Sequence, residues 1–330
     1  MNRTSSFSVN ANPFCYAVPK GWKKYDLAPS KLLPQANLLV DCLLTNDFSF
    51  EELIQMRQNS QFCEFYKAFH EELEQGTGVV FLPHLDIMKN KNKEKRCKFF
   101  LDFCQFIGEP VPINKEGEIL REVKNIGIKD SITKPARGHL TNQSLAFHSD
   151  RADITALLCE SLPFTGGEFK ICSSANLFYA LQDRPDILEI LSHNIPHDLR
   201  DEGTSEAAIC NHPIMGDKEN FWVRYIRKFI DSTVRHGLTI DKKITDALDY
   251  IDTIINKEDF YCEISFKPGD LIMFNNHLTL HSRNAFADNE TNQRNLFRIW
   301  LSSEFSRPLP ESLKSVFHSV EGGSSRGGIR

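Results

Sequence analysis

None of the nine cysteines in this 330-residue chain forms a Cys-x-x-Cys pair. They are scattered, several inside apolar runs such as ALLCE (156–160) and FKICSS (169–174), and read as reduced, buried thiols. No stretch of 18 uncharged apolar residues occurs, and the opening MNRTSSFSVNANPF has no apolar core of the kind a secretory leader needs. A cytoplasmic location without membrane association is the expectation. Charge of one sign is also lacking: the net charge is -5, with 41% hydrophobic and 25% charged residues. Such a balance makes no field that gathers nucleic acid or acidic lipid. The basic runs KNKNKEKRCK (89–98) and IRKF (226–229) read as solvated helix faces. There is no His-Glu-x-x-His, no internal repeat and no low-complexity tract.

The chain is long enough to bury a sizeable core. Residues 1–45 mix Pro, Asn and Lys with short apolar groups and read as an irregular arm. Residues 46–310 read as one catalytic domain, with an insertion at about 175–258. After Pro310 the apolar density falls, and 311–330, ending EGGSSRGGIR, read as a flexible tail.

Within the domain, Leu53, Met56, Phe62, Tyr66, Phe69 and Leu73 recur at helical spacing, so Ser49–Gln75 is expected to be one helix opened by a Ser49/Glu52 capping box. Val79-Val80-Phe81-Leu82 reads as a strand and Asn92–Ile107 as a helix whose phenylalanines are packing. Short strands follow in REVKNIG, SLAFH, DITALLCE and EFKICSS, then helices at Asn176–Ser192 and Thr239–Asn256. The polar stretch between those helices, 194–220, is long for a connection and reads as a lid or an excursion with small elements. FYCEISF, LIMFNNHLTLHS and NLFRIWLSS close the chain as strands. Together they predict an α+β fold: a double-stranded β-helix (jelly-roll, cupin-like) core with flanking helices and a helical insertion between core strands. Such a core leaves a mouth where a small ligand fits.

The chemistry starts in LAFHSDRAD, where His148 and Asp150 form an H-x-D pair. On a strand, period two puts both on one face. A distant imidazole would complete the facial triad that holds non-haem Fe(II) with open positions. FNNHLTLHSR offers two, His277 and His281, four apart on a strand, and spacing does not choose between them. In QRNLFRIWL, Arg294 and Arg298 share a face. Two guanidiniums pointing inward are costly unless anions meet them, whether ligands or acids such as Glu160 or Glu168.

H-S-D, a Gly-Gly-Glu turn, Pro-Gly-Asp before an apolar strand, L-H-S-R and the R-x-x-x-R strand, in this order, resemble the taurine/α-ketoglutarate dioxygenase family, the clavaminate synthase-like Fe(II)/2-oxoglutarate oxygenases. The likeness spans roughly residues 76 to 303. It implies Fe(II) held by His148, Asp150 and His281, leaving His277 structural. It further implies 2-oxoglutarate as cosubstrate with its far carboxylate gripped by Arg294, dioxygen as oxidant, and Arg298 near the substrate. One departure stands out: where relatives place a threonine after the Gly-Gly-acid turn this chain has Phe169, and Ser173 is the candidate substitute. Further candidates to line a substrate pocket are Asn142, Ser144, Arg151 and Arg224. A carboxylate at position 150 occupies the place that related halogenases leave to halide, so hydroxylation of a small anionic or amino-acid-like molecule is expected, with succinate and CO2 released.

Several alternatives compete: a metal-binding jelly-roll protein without turnover, a zinc hydrolase, desaturation or cyclisation by the same oxidant, and a peptide substrate laid along 194–220. The expected partner is a small molecule, not nucleic acid or membrane, and a homo-oligomer is left open.

Overall fold

A computed structural model describes residues 14–329, apart from 25, 60, 91, 130, 132–137 and 201–207. Helices come first: α1 (Leu33–Thr45), α2 (Phe50–Asn59) and α3 (Cys63–Glu74). Strand β1 (Val79–Leu82) leads to α4 (Lys93–Ile107), and then come β2 (Glu109–Val111), β3 (Leu120–Val123), β4 (Leu145–His148), β5 (Ile154–Ser161), β6 (Thr165–Gly166) and β7 (Phe169–Ser173). The insertion carries α5 (Ser174–Ala180), α6 (Pro185–Ser192), β8 (Ile195–Asp198), β9 (Ile209–His212), α7 (Arg227–Asp231) and α8 (Lys242–Ile255). Closing the chain are β10 (Cys262–Ile264), β11 (Leu271–Asn275), β12 (Thr279–Arg283), β13 (Phe286–Ala287), β14 (Asn295–Ser302) and α9 (Lys314–Phe317).

Two antiparallel sheets face each other. One runs β1-β11-β5-β14-β2 with β3 also on β14, and the other runs β10-β7-β12-β4. Period two decides what each strand buries. In β5, Leu157 and Cys159 point between the sheets, where they join Phe169 and Ile171 of β7, while Ala156 and Leu158 point outward onto α1, α3 and α4. In β14, Phe297, Ile299 and Leu301 take the outward side, which turns Arg298 and Trp300 inward. On the second sheet Cys172 and Leu280 face α5, α6 and α8, so His281 turns inward. The architecture is α+β, with helices covering both sheets. Among the described residues no helix is long and apolar enough to cross a membrane.

The Ser49/Glu52 capping box forms as expected, the Ser49 amide donating to Glu52 at 2.7 Å and the Glu52 amide to Ser49 Oγ at 3.2 Å. The helix it opens is two helices, α2 and α3, rather than one; Asn59, which ends α2, is a poor helix former. Asn176–Ser192 likewise splits into α5 and α6 at Pro185, which sits in the first turn of α6, where a missing N–H costs nothing. Within the arm, residues 1–13 and 25 lie outside the described residues, but 33–45 are helical. Ala36, Leu39, Val40 and Leu43 are buried at helical spacing, and Pro34 is tolerated in the first turn. The 194–220 excursion is the β8–β9 hairpin; its residues 201–207 lie outside the described residues.

The flexible tail is corrected outright. Gly and Ser in the last ten residues suggest mobility, yet Arg326 and Ile329 are fully buried. Arg326 Nε donates to Asp153 at 2.8 Å, and Gly328 and Ile329 amides donate to Arg151 and Pro112 carbonyls. One charged side chain seeking a buried carboxylate outweighs the composition around it. Replacing Arg326 with Ala leaves Asp153 short of a buried cation and is expected to cost about 3–5 kcal/mol, read as a lower urea midpoint. A free tail would leave that midpoint unchanged.

Candidate active site

The site grows from the pairing of β4 and β12. His148 and His281 are directly opposed in the ladder, so their rings lie side by side, 4.2 Å between centroids. Two residues past His148, Asp150 turns its carboxylate toward both imidazoles: His148 Nε2 is 3.9 Å from Oδ1 and His281 Nε2 is 3.8 Å from Oδ2. One ligand atom from each of the three lies within 4.8 Å of the others, a spacing that one metal ion spans. His148 Nδ1 sits 2.8 Å from the Ala146 carbonyl, which can only accept, so the proton is on Nδ1 and the Nε2 lone pair is bare. No cysteine lines the cavity among the described residues, and two imidazoles with one carboxylate suit Fe(II).

His277, the rival third imidazole, is engaged elsewhere. It is buried with Nε2 2.9 Å from Asp153, and its ring lies against Phe317.

Burial alone would raise the Asp150 carboxyl. The Arg298 guanidinium, His281, His148 and a hydrogen bond from Trp300 outweigh that and hold it well below the usual carboxylate range. Burial pushes His281 down to about 3, helped by His148, and it lowers His148 as well. The three groups are therefore a carboxylate and two neutral imidazoles across the physiological range.

Beside the triad opens a cavity of about 400 Å³. Arg294 lines it, buried, its guanidinium 5.3 Å from the Phe286 ring, with Nη1 3.4 Å from the Val123 carbonyl and no ion pair among the described residues. Burial pushes it down to about 10. Gly167 at φ +80° makes room: a Cβ there would stand 3.4 Å from Arg294 Cδ and Nε. Arg283, which motif reading used only to place His281, stands over the same ring at 4.9 Å and donates to the Thr141 and Gln143 carbonyls. Burial and then Arg294 push it down to about 9.

Arg298 lies over the Trp300 ring at 4.8 Å, Nη1 4.0 Å from Asp150 Oδ1. The acids proposed to neutralise it are taken, Glu160 by Arg96 and Glu168 by Asn284. Ser144, Arg151 and Arg224 also line the cavity. Arg224 braces its wall, Nη1 donating to the Ser149 and Asp150 carbonyls at 2.6 and 2.9 Å, and Arg151 Nε donates to the Val316 carbonyl. Asn142 and Ser173 do not line it. Asn142 is exposed, its carbonyl accepting from Phe286 N. Ser173 is four residues, about 13 Å, along β7 from Phe169, whose ring lies against His281. Trp300 and Thr155, both on Asp150, carried no motif signal. Trp300 is legible in retrospect as the residue after next from Arg298 on the inward face.

A profile for the taurine catabolism dioxygenase TauD, TfdA family matches residues 44–300. The chain belongs to that family. Membership implies for this chain an oxidoreductase that works with Fe(II), 2-oxoglutarate and dioxygen. It is 30% identical over 218 residues to FR-33289 synthase of Streptomyces rubellomurinus (strain ATCC 31215), covering 63% of this chain and 64%, less than two thirds, of that relative. It resembles asparagine oxygenase, solved with Fe(II), 2S,3S-3-hydroxyasparagine and succinate, at TM-score 0.63 and 14% identity over 83% of this chain and 92% of that one. The non-haem iron oxygenase OrfP, solved with Fe and α-ketoglutaric acid, matches at 0.59 and 15% over 83% and 93%. At those identities the likeness is one of fold.

Outside the triad, burial also pushes His70 and His212 down to about 3. Each stays neutral in the folded dioxygenase where the unfolded chain takes up a proton, so stability is full above pH 6.5 and falls as pH drops toward 3. Urea unfolding of the metal-free protein is expected to lose stability from pH 7 downward, approaching about 1.4 kcal/mol per pH unit for each once the pH is well below 6.5.

Proposed function

We propose that this dioxygenase hydroxylates an unactivated C–H bond of a small anionic or amino-acid-like molecule, with release of succinate and CO2. We read the two facing sheets as a double-stranded β-helix, and residues 46–310 together with the C-terminal segment as one catalytic unit. In this reading His148, Asp150 and His281 hold Fe(II), and Arg294 grips the far carboxylate of 2-oxoglutarate.

The bound metal and cosubstrate supply the oxidative decarboxylation that activates dioxygen. The chain's own part is placement. The bare Nε2 of His148 and the ionised Asp150 are ready to bind without losing a proton. A guanidinium matches a carboxylate bidentately in a way a lysine point charge cannot. Buried without a carboxylate of its own among the described residues, Arg294 has donors to offer an incoming one. Phe169 and Leu157 wall the space and keep water from it.

The observation that carries the substrate class is the charge of the lining. Arg283, Arg294, Arg298, Arg151, Arg200, Arg224, Arg227 and Lys228 face the cavity, against one lining carboxylate among the described residues, Asp150. Arg227 is spent on Asp231, Asp249 and Asp252. Even so, the lining as a whole biases a low-dielectric space toward anions. One cation pair, Arg283 and Arg294, gathers about Phe286, while Arg200 stands over Phe229. That separation supports two anionic groups, cosubstrate and substrate. The hydroxylated amino acids held by the asparagine oxygenase and OrfP structures support a polar substrate of that size.

A panel of amino acids, small carboxylates, sulfonates and phosphonates, scored by succinate formed from 2-oxoglutarate with Fe(II), tests the reading. Turnover with an anionic member supports it; turnover with neutral substrates alone overturns the substrate class. Arg294→Gln is expected to raise KM for 2-oxoglutarate about tenfold to a hundredfold, the value of a charged hydrogen-bonded pair. Arg298→Leu is expected to raise KM for the substrate instead, with 2-oxoglutarate binding kept.

A further inference from the structure

Asp150 has two carboxylate oxygens, and one of them is already full. Trp300 Nε1 donates to Oδ2 at 3.0 Å and Thr155 Oγ1 donates to the same oxygen at 2.9 Å. The direction of the Thr155 bond is fixed, because Asn276 Nδ2 donates to Thr155 Oγ1 at 2.9 Å, leaving the hydroxyl hydrogen for Asp150. Asn276 also accepts from the Asp150 amide at 2.9 Å, so backbone and carboxylate are held by one loop of hydrogen bonds.

Trp300 and Thr155 are cross-strand partners in the β14–β5 ladder. They belong to the sheet opposite the one that carries His148 and His281. A carboxylate oxygen with both in-plane lone pairs accepting has none left for a metal. Oδ2 comes closer to His281, at 3.8 Å, than Oδ1 comes to His148, at 3.9 Å, but the difference is trivial beside that saturation.

Resting on the reading of the triad as the metal site, we propose that Trp300 and Thr155 are positioning residues that confine Asp150 to one-oxygen coordination through Oδ1, keeping a coordination position open for the reactants. Chelation by both oxygens would fill that position. Trp300 has a second task, since its ring supports the Arg298 guanidinium. A phenylalanine keeps an aromatic ring near the guanidinium and loses the N–H together with part of the indole's volume.

Anaerobic titration of the full chain with Co(II), followed by calorimetry and visible absorption, tests this without turnover. Trp300→Phe and Thr155→Val are each expected to bind Co(II) roughly ten- to a hundredfold more weakly, with the fainter bands of a more highly coordinated ion. Thr155→Ser restores the wild-type titration and spectrum. Should Trp300→Phe fail to fold, the two Thr155 variants decide alone. Wild-type affinity and spectrum in folded Trp300→Phe and Thr155→Val overturn the inference and leave the triad standing. If the wild type takes up no Co(II), or Asp150→Ala takes it up as tightly, the metal-site reading fails and takes the inference with it.

Discussion

A buried carboxylate must be met by donors, and two of them three residues apart, Asp150 and Asp153, set much of this structure. Asp153 is fully buried and accepts from His277, Arg326 and the Ser303 amide. Burial would raise its carboxyl, but Arg326 and His277 bring it down to about 2. Satisfying it draws together the start of β5, the turn before β12 and the last residues of the chain. Asp150 makes the same demand and is met by Trp300, Thr155 and two imidazoles. The two acids differ in what remains: Asp153 ends enclosed by cations and amides, whereas Asp150 faces a cavity. The first is placed as a structural anchor and the second, on the proposed reading, as a metal ligand.

The cations show the converse. Arg307 is buried but paired with Glu74 at 2.9 Å. Arg283 and Arg294 are also buried, yet they stand beside one aromatic ring, and Arg294 adds to the burial that lowers Arg283. A fold selected for stability alone would not keep two like charges there. An anion entering beside them would offset that cost, which ties affinity for an anion to instability of the free site. Gly167 belongs to this account, since a side chain at φ +80° would be strained and its Cβ would press on Phe286 Cβ at 3.2 Å, beside Arg294.

What was legible in the sequence follows from how local each signal is. Period two along NLFRIWLSS places Arg298 inward without a structure, and H-x-D with a distal L-H-S-R named the three side chains that converge. The capping box was equally local, a matter of two residues three apart. Failures came where long-range partners decide. The glycine-rich end reads as mobile because Asp153, which holds Arg326, lies more than 170 positions away. Ser173 shares a strand face with Phe169, but the alternation gives the face and not the depth, and the cavity ends before it. Arg283 carries no signal beyond the L-H-S-R motif it closes, and Asn142 is not distinguishable in sequence from its neighbours Thr141, Gln143 and Ser144, which do line the space.

The hydrogen bonds of the insertion and the C-terminal segment carry the argument one step further. Arg224, from beyond the β8–β9 hairpin, clamps the carbonyls of Ser149 and Asp150, and Arg151 reaches the Val316 carbonyl. Every residue from His148 to Asp153 except Ala152 thus makes a polar contact with a segment distant in the chain. The ligand-bearing loop is therefore not held by its own turn chemistry. It is held in tension between two sheets, an insertion and a returning terminus, and the separation of imidazole from carboxylate depends on all four. Substitutions far outside the cavity, at Arg326 or Asn276, consequently act on the same coordinate as substitutions at the ligands themselves.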